Sequence, residues 1–425
     1  MNIPKGYKMT EVGMIPEDWE YALFKDIFTF YPTNTYARDF MNDSEGEVFN
    51  VHYGDILVRY GSILDFEKIQ VPFLNADSTN WSNRALLKDG DIIIADTAED
   101  ETCGKLTEVY GLREKKAVSG LHTMLCRPKE DLFVPKFLGY FMNGAFYHNQ
   151  LLPLMVGTKV TSVSKSAILD TWILIPPKEI QQHIADALTD IDRLIEPINA
   201  EIEKKRQIKE GAMQALLTGK KRLSGFTGEW VDRSLSEVGK FVSGNGFPLA
   251  YQGNKSEKYP FFKVSDFNNV GNELHMHIAN NYISEDVAKI LSCNIIPTNS
   301  IIFAKIGAAI MLERKRICSQ PSCIDNNMMS LQLYSSFDTD FVLYVLRTIQ
   351  FSQYVSATAL PSLGGKTLGK IVVHIPEDKK EQYAIAHILT DMDAEIYALE
   401  AERDKYTLIK QGMMQELLTG KTRLV

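Results

Sequence analysis

No apolar run in this chain approaches the roughly 20 residues that a membrane span needs, so a membrane protein is not expected. The first residues, Met1-Asn2-Ile3-Pro4-Lys5, lack the apolar core of a signal peptide, and a cytoplasmic location is expected. Cysteine is scarce. The five thiols, Cys103, Cys126, Cys293, Cys318 and Cys323, are odd in number and scattered, with no C-x-x-C pair, so reduced thiols are expected rather than disulfides or a zinc site. One close histidine pair, His275-Met276-His277, puts two rings on one face of a strand, but no third ligand clusters with it and no metal is expected. Positive charge is also lacking. The net charge of −8 weighs against casual nucleic-acid binding.

Catalytic signatures are missing too. Gly364-Gly365-Lys366-Thr367 and Gly420-Lys421-Thr422 imitate the end of a phosphate loop, but Leu360 and Gln415 stand where the first glycine is required. Gly244-Asn245-Gly246 lacks the third glycine of a dinucleotide fingerprint. There is no Asn-Pro-Pro-aromatic sequence, so the chain is not expected to methylate bases itself. No serine, cysteine or aspartate has a persuasive histidine partner. The acidic run Asp96, Glu99, Asp100, Glu101 reads as a solvated loop before a cation site. No catalytic residue, and no cofactor on this chain, is expected.

What is present is a duplication. Gln181 to Leu223 aligns with Gln382 to Leu424 at a constant offset of 201, with 23 identities in 43 positions. Each copy reads as a long helix with apolar residues at alternating steps of three and four, the a/d pattern of a coiled coil. The first seam is Ile184, Leu188, Ile191, Ile195, Ile198 and Ile202, interrupted further on by Lys205 and Lys209. The second is Ile385, Leu389, Met392, Ile396, Leu399 and Tyr406, interrupted by Arg403 and Lys410. The two stripes are expected to pack on each other, since nothing else in the chain offers so long a partner. About 38 residues at about 1.5 Å each give a rod of roughly 57 Å. Pro197 lies off the seam and should kink the first helix. Each copy ends Leu-Leu-Thr-Gly, making Gly219 and Gly420 the expected left-handed caps.

Upstream of each helix lies a non-helical block of about 150 residues, the usual size of one domain. Both blocks open alike, Gly13-Met14-Ile15-Pro16-Glu17-Asp18-Trp19 against Gly225-Phe226-Thr227-Gly228-Glu229-Trp230. Both close on a turn, a strand and a proline break, Trp172-Ile173-Leu174-Ile175-Pro176 against Val372-Val373-His374-Ile375-Pro376. One buried strand (Gly90–Ala95, Asn299–Ala304) and one helix (Phe137–Phe141, Phe341–Val345) persist in both; the rest does not align. The scaffold is duplicated while the contents are rewritten, as two recognition modules for different ligands would be.

Variable block, long helix, variable block, long helix, with bookends Gly-x-Ile-Pro-x-x-Trp and Leu-Leu-Thr-Gly-Lys: over essentially its whole length the chain resembles the specificity subunit of type I restriction-modification enzymes. The resemblance implies an α+β fold. Two mixed α/β target recognition domains are separated by two long helices forming an antiparallel coiled coil, with an internal pseudo-two-fold repeat. Mapped here, the recognition domains are residues 1–176 and 225–375, and the spacer helices residues 177–224 and 376–425. Each domain would read one half of a bipartite, asymmetric target in double-stranded DNA. The helices would bind two methyltransferase subunits, with two restriction subunits as an optional further pair. S-adenosylmethionine, ATP and Mg would sit on those partners, and the assembly would be an adenine-specific methyltransferase and ATP-dependent endonuclease. A rod of that length sets two domain centres one to two DNA turns apart, at about 34–36 Å per turn.

Base readout needs Arg, Lys, Asn or Gln on loops that enter the major groove, and phosphate contacts need Lys, Arg and hydroxyls. In the first block the candidates are Arg38, Arg59, Arg84, Lys105, Lys159 and Lys165. Thr158, Thr161 and Ser162 flank the last two in a polar, basic loop before the final strand. In the second block they are Lys263, Lys305, Arg314, Lys315, Arg316 and Lys366, with Glu313-Arg314-Lys315-Arg316 the most basic stretch. Tyr60 and Tyr251 read as packing residues. The competing function is a non-DNA scaffold whose pseudo-dimer holds two protein partners. One further expectation is modularity: without residues 225–425 the remaining half should pair with a second copy.

Overall fold

The computed structural model of the chain describes residues 3–75, 81, 84–356 and 361–424. It falls into two compact units, Met1–Asn199 with Ala401–Val425, and Ala200–Glu400. Each unit therefore takes one block, the first half of the long helix that follows it, and the second half of the other long helix.

The first unit is built on a five-stranded sheet of β1 (Phe28–Tyr31), β2 (Ile63–Asp65), β3 (Ile92–Ala95), β4 (Leu106–Tyr110) and β5 (Thr123–Pro128), in the order β1-β5-β3-β4-β2. All its pairings are antiparallel except β4 with β2. The central β3 reads Ile-Ile-Ile-Ala and is buried throughout, as a strand covered on both faces should be. The second unit repeats the plan with β6 (Gly239–Ser243), β7 (His275–Met276), β8 (Ile301–Ala304), β9 (Lys315–Cys318) and β10 (Met328–Leu333), in the order β6-β10-β8-β9-β7. Again only the last pairing is parallel. The shared scaffold is thus five strands, where the sequence showed one. The blocks diverge in the smaller sheets beside it. Among the described residues the first unit adds a sheet of four short strands, among them Phe49–Val51 and Ala117–Ser119; the second adds a sheet of three around Tyr259–Phe262.

The bookends of each block pair with one another. Glu20–Leu23 runs antiparallel to Trp172–Ile175, and Trp230–Ser234 to Val372–Pro376. Each block is thereby closed at its neck, just before its long helix begins. A buried glutamine fixes that start in both copies. Gln181 donates to Pro176 O at 2.8 Å and accepts the Val134 N–H at 3.0 Å; Gln382 donates to Pro376 O at 2.8 Å and accepts the Asp338 N–H at 2.8 Å.

The long helices are α1 (Lys178–Leu216) and α2 (Lys379–Leu417), 39 residues each. α1 runs through Pro197 as one element, and that proline is exposed. Within each unit the two half-helices run antiparallel. In the first, Ile184 and Leu188 share a core with Leu417 and Leu418, and Asp192 meets Lys410 further along. In the second, Leu216 and Leu217 share a core with Ile385 and Leu389, and Lys209 meets Asp393. Ile184, Leu188, Ile202, Ile385, Leu389 and Ile396 are buried; Ile191, Ile195, Ile198, Met392, Leu399 and Tyr406 are half-buried.

The seam lysines have specific partners. Lys410 Nζ donates to Asp192 at 2.6 Å, and Tyr140 Oη donates to the other carboxylate oxygen at 2.8 Å. Lys209 Nζ donates to Asp393 at 2.5 Å, and Tyr344 Oη to its other oxygen at 2.8 Å. Each ammonium also lies over its tyrosine ring, at 5.2 and 5.3 Å from the centroid. Burial above all, helped by the neighbouring carboxylate, pushes both phenols above their ordinary pKa, so they remain donors.

Both helices end in left-handed glycines, Gly219 at φ +68 and Gly420 at φ +69. The Lys221 N–H closes on Ala215 O at 3.0 Å and the Thr422 N–H on Glu416 O at 3.3 Å, satisfying late helix carbonyls. The bookend tryptophans cover these turns. A Cβ on Gly219 would meet the Trp230 ring at 3.1 Å, and one on Gly420 would meet Pro16 at 2.5 Å and Trp19 at 3.3 Å.

Candidate nucleic-acid interface

In the first unit β3 ends at Ala95, and the chain continues through Asp96, Thr97 and Ala98. The Asp96 N–H donates to His122 O at 3.1 Å, and the Val163 N–H to Asp96 O at 2.9 Å. Thr97 and Ala98 then pair with Ser162 and Thr161. One strand end thus gathers the residue before β5 and the polar loop before the final strand. Asp96 Oδ1 accepts from Thr97 Oγ1 at 2.8 Å and lies 3.4 Å from His122 Nδ1. His122 has φ +53, a left-handed backbone uncommon outside glycine, and its ring meets Tyr53 edge-on at 5.2 Å. Lys159 and Lys165 are exposed here, with Lys165 Nζ 5.5 Å over the Phe30 ring of β1.

The second unit repeats this backbone with other side chains. After Ala304 of β8 comes Lys305. Its N–H donates to Asn327 O at 2.8 Å, and its carbonyl accepts the Leu363 N–H at 2.8 Å. Ile306 bridges to Ser362 as Thr97 does to Ser162. Lys305 Nζ donates to Ser243 Oγ, at the end of β6, at 3.0 Å. The Asn327 N–H is held by Asp325 at 2.9 Å, and burial raises the pKa of that carboxyl. Lys366 is exposed on the short helix Gly365–Leu368 that follows the loop, and Lys165 opens the corresponding helix Lys165–Ile168.

The other sequence candidates are spread more widely. Arg38 and Arg59 both pair with the buried Asp55, Arg59 at 3.4 Å, leaving a net positive edge on the helix Tyr53–Val58. Arg59 also lines a cavity of about 470 Å³ within the first unit, together with Lys136, Tyr140, Asp192 and Lys410. Lys105 turns inward, donating to Leu57 O at 2.6 Å, and burial lowers its pKa. Arg84 is half-buried. In the second unit Lys263 is half-buried and donates to Gln252 at 3.2 Å, and Arg314 donates to Asn268 at 2.5 Å. Arg316 donates to Asn272 O at 2.9 Å, and burial brings its pKa down to about 10.

Lys315 has a structural position. It is buried at the start of β9, with Nζ donating to Glu313 at 2.7 Å and to Ile349 O at 3.0 Å. The basic tetrapeptide is thus a turn running into a sheet strand, where a net count of charges could not reveal which side chain points inward. Tyr60 is a buried core residue. Asp96, His122 and Asn327 stand at these strand ends beside the candidates, and a search for basic side chains passes over them. The available signal was positional: Asp96 and Lys305 each follow directly on the shared strands Ile-Ile-Ile-Ala and Ile-Ile-Phe-Ala.

The family model for the type I restriction modification DNA specificity domain matches this chain twice, over residues 16–204 and 227–407. The chain belongs to that family. It is a DNA-recognition subunit without catalytic activity of its own. It is 25% identical to a Methanocaldococcus jannaschii protein described as a type I restriction enzyme MjaX specificity subunit, over 99% of this chain and 97% of that one. It is 27% identical to the MjaVIII specificity subunit of the same organism, over 52% of this chain and 50% of the relative. Among solved structures it resembles the type I restriction-modification S subunit from M. genitalium, with a TM-score of 0.59, 14% identity and 98% of each chain covered, a likeness of fold. Among the described residues no helix is long and apolar enough to cross a membrane.

Proposed function

We propose that this specificity subunit reads a bipartite, asymmetric DNA target, one half with residues 1–176 and the other with residues 225–375. The observation that carries the reading is the pair of strand-end sites. The same backbone is built twice, yet it presents Asp96 and His122 in one unit and Lys305 and Asn327 in the other. One scaffold with two sets of polar groups suits two different half-sites. The long helical segments, residues 177–224 and 376–425, act as spacers and dock two methyltransferase subunits, and through them restriction subunits where present. Adenine methylation with S-adenosylmethionine, and ATP- and Mg-dependent cleavage, belong to those partners in the cytoplasm. Lys159, Lys165, Lys305 and Lys366 are the sequence-named candidates best disposed to meet DNA, with Arg38 and Arg59 at the edge of the first domain. Because the chain itself is acidic, much of the positive charge is supplied by the partners. Linking two readers makes the second contact intramolecular, so modest half-site affinities multiply.

The test is duplex binding by the chain with its methyltransferase subunit across a salt series. Steep weakening with added salt, together with preference for one bipartite sequence, supports the reading. A stable complex with no DNA affinity would favour the protein scaffold instead.

A further inference from the structure

We propose that Asp96 and Lys305 are the equivalent base-reading residues of the two domains, and that their opposite charge selects opposite groove chemistry. The proposal rests on the DNA-recognition reading above. The two residues hold one position in the duplicated scaffold. Each follows directly on the buried central strand and donates its N–H to the residue before the neighbouring strand of the sheet, β5 or β10. Each also accepts, through its carbonyl, the N–H just before the last turn of the block.

The environment of Asp96 argues against a filler role. Only one of its carboxylate oxygens has a partner among the described residues, and the side chain is partly exposed. It is held beside His122, whose left-handed backbone is the kind of strain that collects at functional positions. The adjoining loop carries the exposed Lys159. A carboxylate facing phosphate would be repelled; facing a base edge it can accept from an exocyclic amine. Asp96 would therefore take cytosine N4 or adenine N6 in the major groove. Lys305 presents the complement. Its ammonium has three N–H donors and, among the described residues, one acceptor, Ser243 Oγ at 3.0 Å. An ammonium with donors to spare suits guanine O6 and N7. The neighbouring Asn327 lends a second polar edge, as His122 does in the first domain.

The experiment is the adenine-methylation motif in cells carrying the cognate methyltransferase and either wild-type chain, Asp96→Asn or Lys305→Met. Asp96→Asn should relax or change one position in one half-site and leave the other half intact. Lys305→Met should act only on the other half, at a guanine. Discrimination at the affected position should fall on the order of 10- to 100-fold. Unchanged motifs, changes in the same half, or uniform weakening with the base preference retained would overturn the assignment, the last marking a phosphate contact. If a variant abolishes methylation, single-base-pair duplex competition with the purified complex reads the same preference. If a complex fails to assemble, Asp96→Ser and Lys305→Gln are measured instead, and retained wild-type preference in both would again overturn it. A wild-type chain that yields no bipartite motif would defeat the underlying reading rather than this assignment.

Discussion

Lys410 donates to Asp192 at 2.6 Å, and Lys209, 201 residues before Lys410, donates to Asp393, 201 residues after Asp192. The duplicated helix therefore supplies the lysine of one pair and the aspartate of the other. Antiparallel half-helices need this arrangement: a lysine in the second half of one helix faces an aspartate in the first half of the other.

The two pairs differ in burial, and their energies should follow. The side chains of Asp393 and Lys209 are 8% and 14% exposed, against 28% and 19% for Asp192 and Lys410. Removing one partner of a buried pair strands the other charge and costs about 3–5 kcal/mol. Asp393→Ala should lose about that much in denaturant unfolding. Asp192→Ala should lose roughly 1–3 kcal/mol, because water screens the orphaned lysine. Equal losses would show that the pairs do not differ as their burial indicates.

The glycine caps give a ranked prediction. Gly420→Ala adds a methyl group 2.5 Å from Pro16 to a backbone at φ +69, while Gly219→Ala meets the Trp230 ring at 3.1 Å at nearly the same φ. Both should destabilise by about 1 kcal/mol or more from the backbone alone. Gly420→Ala should cost more because the proline ring has to move. Unfolding midpoints of the two variants check the order.

The long helices, their seams and their glycine caps could be read from the sequence, because a repeat at constant offset and a 3.5-residue period are visible in residue order. The neck strands Trp172–Ile175 and Val372–Pro376 were visible for the same reason. The shared five-stranded sheet was not. β4 and β9 occupy the same place through pairing with β3 and β8, and β2 and β7 through pairing in turn with β4 and β9, and pairing leaves no common residue pattern. The seam lysines read as interruptions because each partner lies about 180 to 220 residues away in sequence. Of the candidate site, the basic loop around Lys159 and Lys165 was legible in the sequence, together with Lys305 and Lys366 of the second block. The acidic and amide side chains beside it share no residue pattern, and only the matching backbone hydrogen bonds of the two strand ends relate them.

Glu108 supplies a pH prediction. This buried carboxylate accepts the N–H groups of Lys136 at 2.6 Å and Gly139 at 2.8 Å at the start of the helix Phe137–Asn143. Burial raises its pKa to about 7, against the opposing effect of those amides. The folded state thus binds the proton more readily than the unfolded chain. This contribution to stability is fully present below the unfolded pKa near 4.5 and is lost as pH rises to about 7. The change amounts to about 3 kcal/mol. Relative to wild type, Glu108→Gln should gain stability over that window and level off above it. A pH-independent difference between the two proteins would remove the assignment.

Modularity can be tested with residues 1–224. In the intact first unit Asp192 is met by Lys410 and Asp18 by Arg423. In a truncated pair, Lys209 and Arg222 of the second copy hold the corresponding positions. Light scattering should report a dimer, and Lys209→Glu, which would face Asp192, should weaken it. A strictly monomeric fragment would contradict this.

The central claim is that this chain chooses the DNA sequence on which its partners act. Genome-wide adenine methylation, measured in cells carrying the cognate methyltransferase with and without this chain, tests it most directly. A two-part asymmetric motif methylated only when the chain is present is the predicted result. An unchanged pattern, despite a stable complex between chain and methyltransferase, would contradict it.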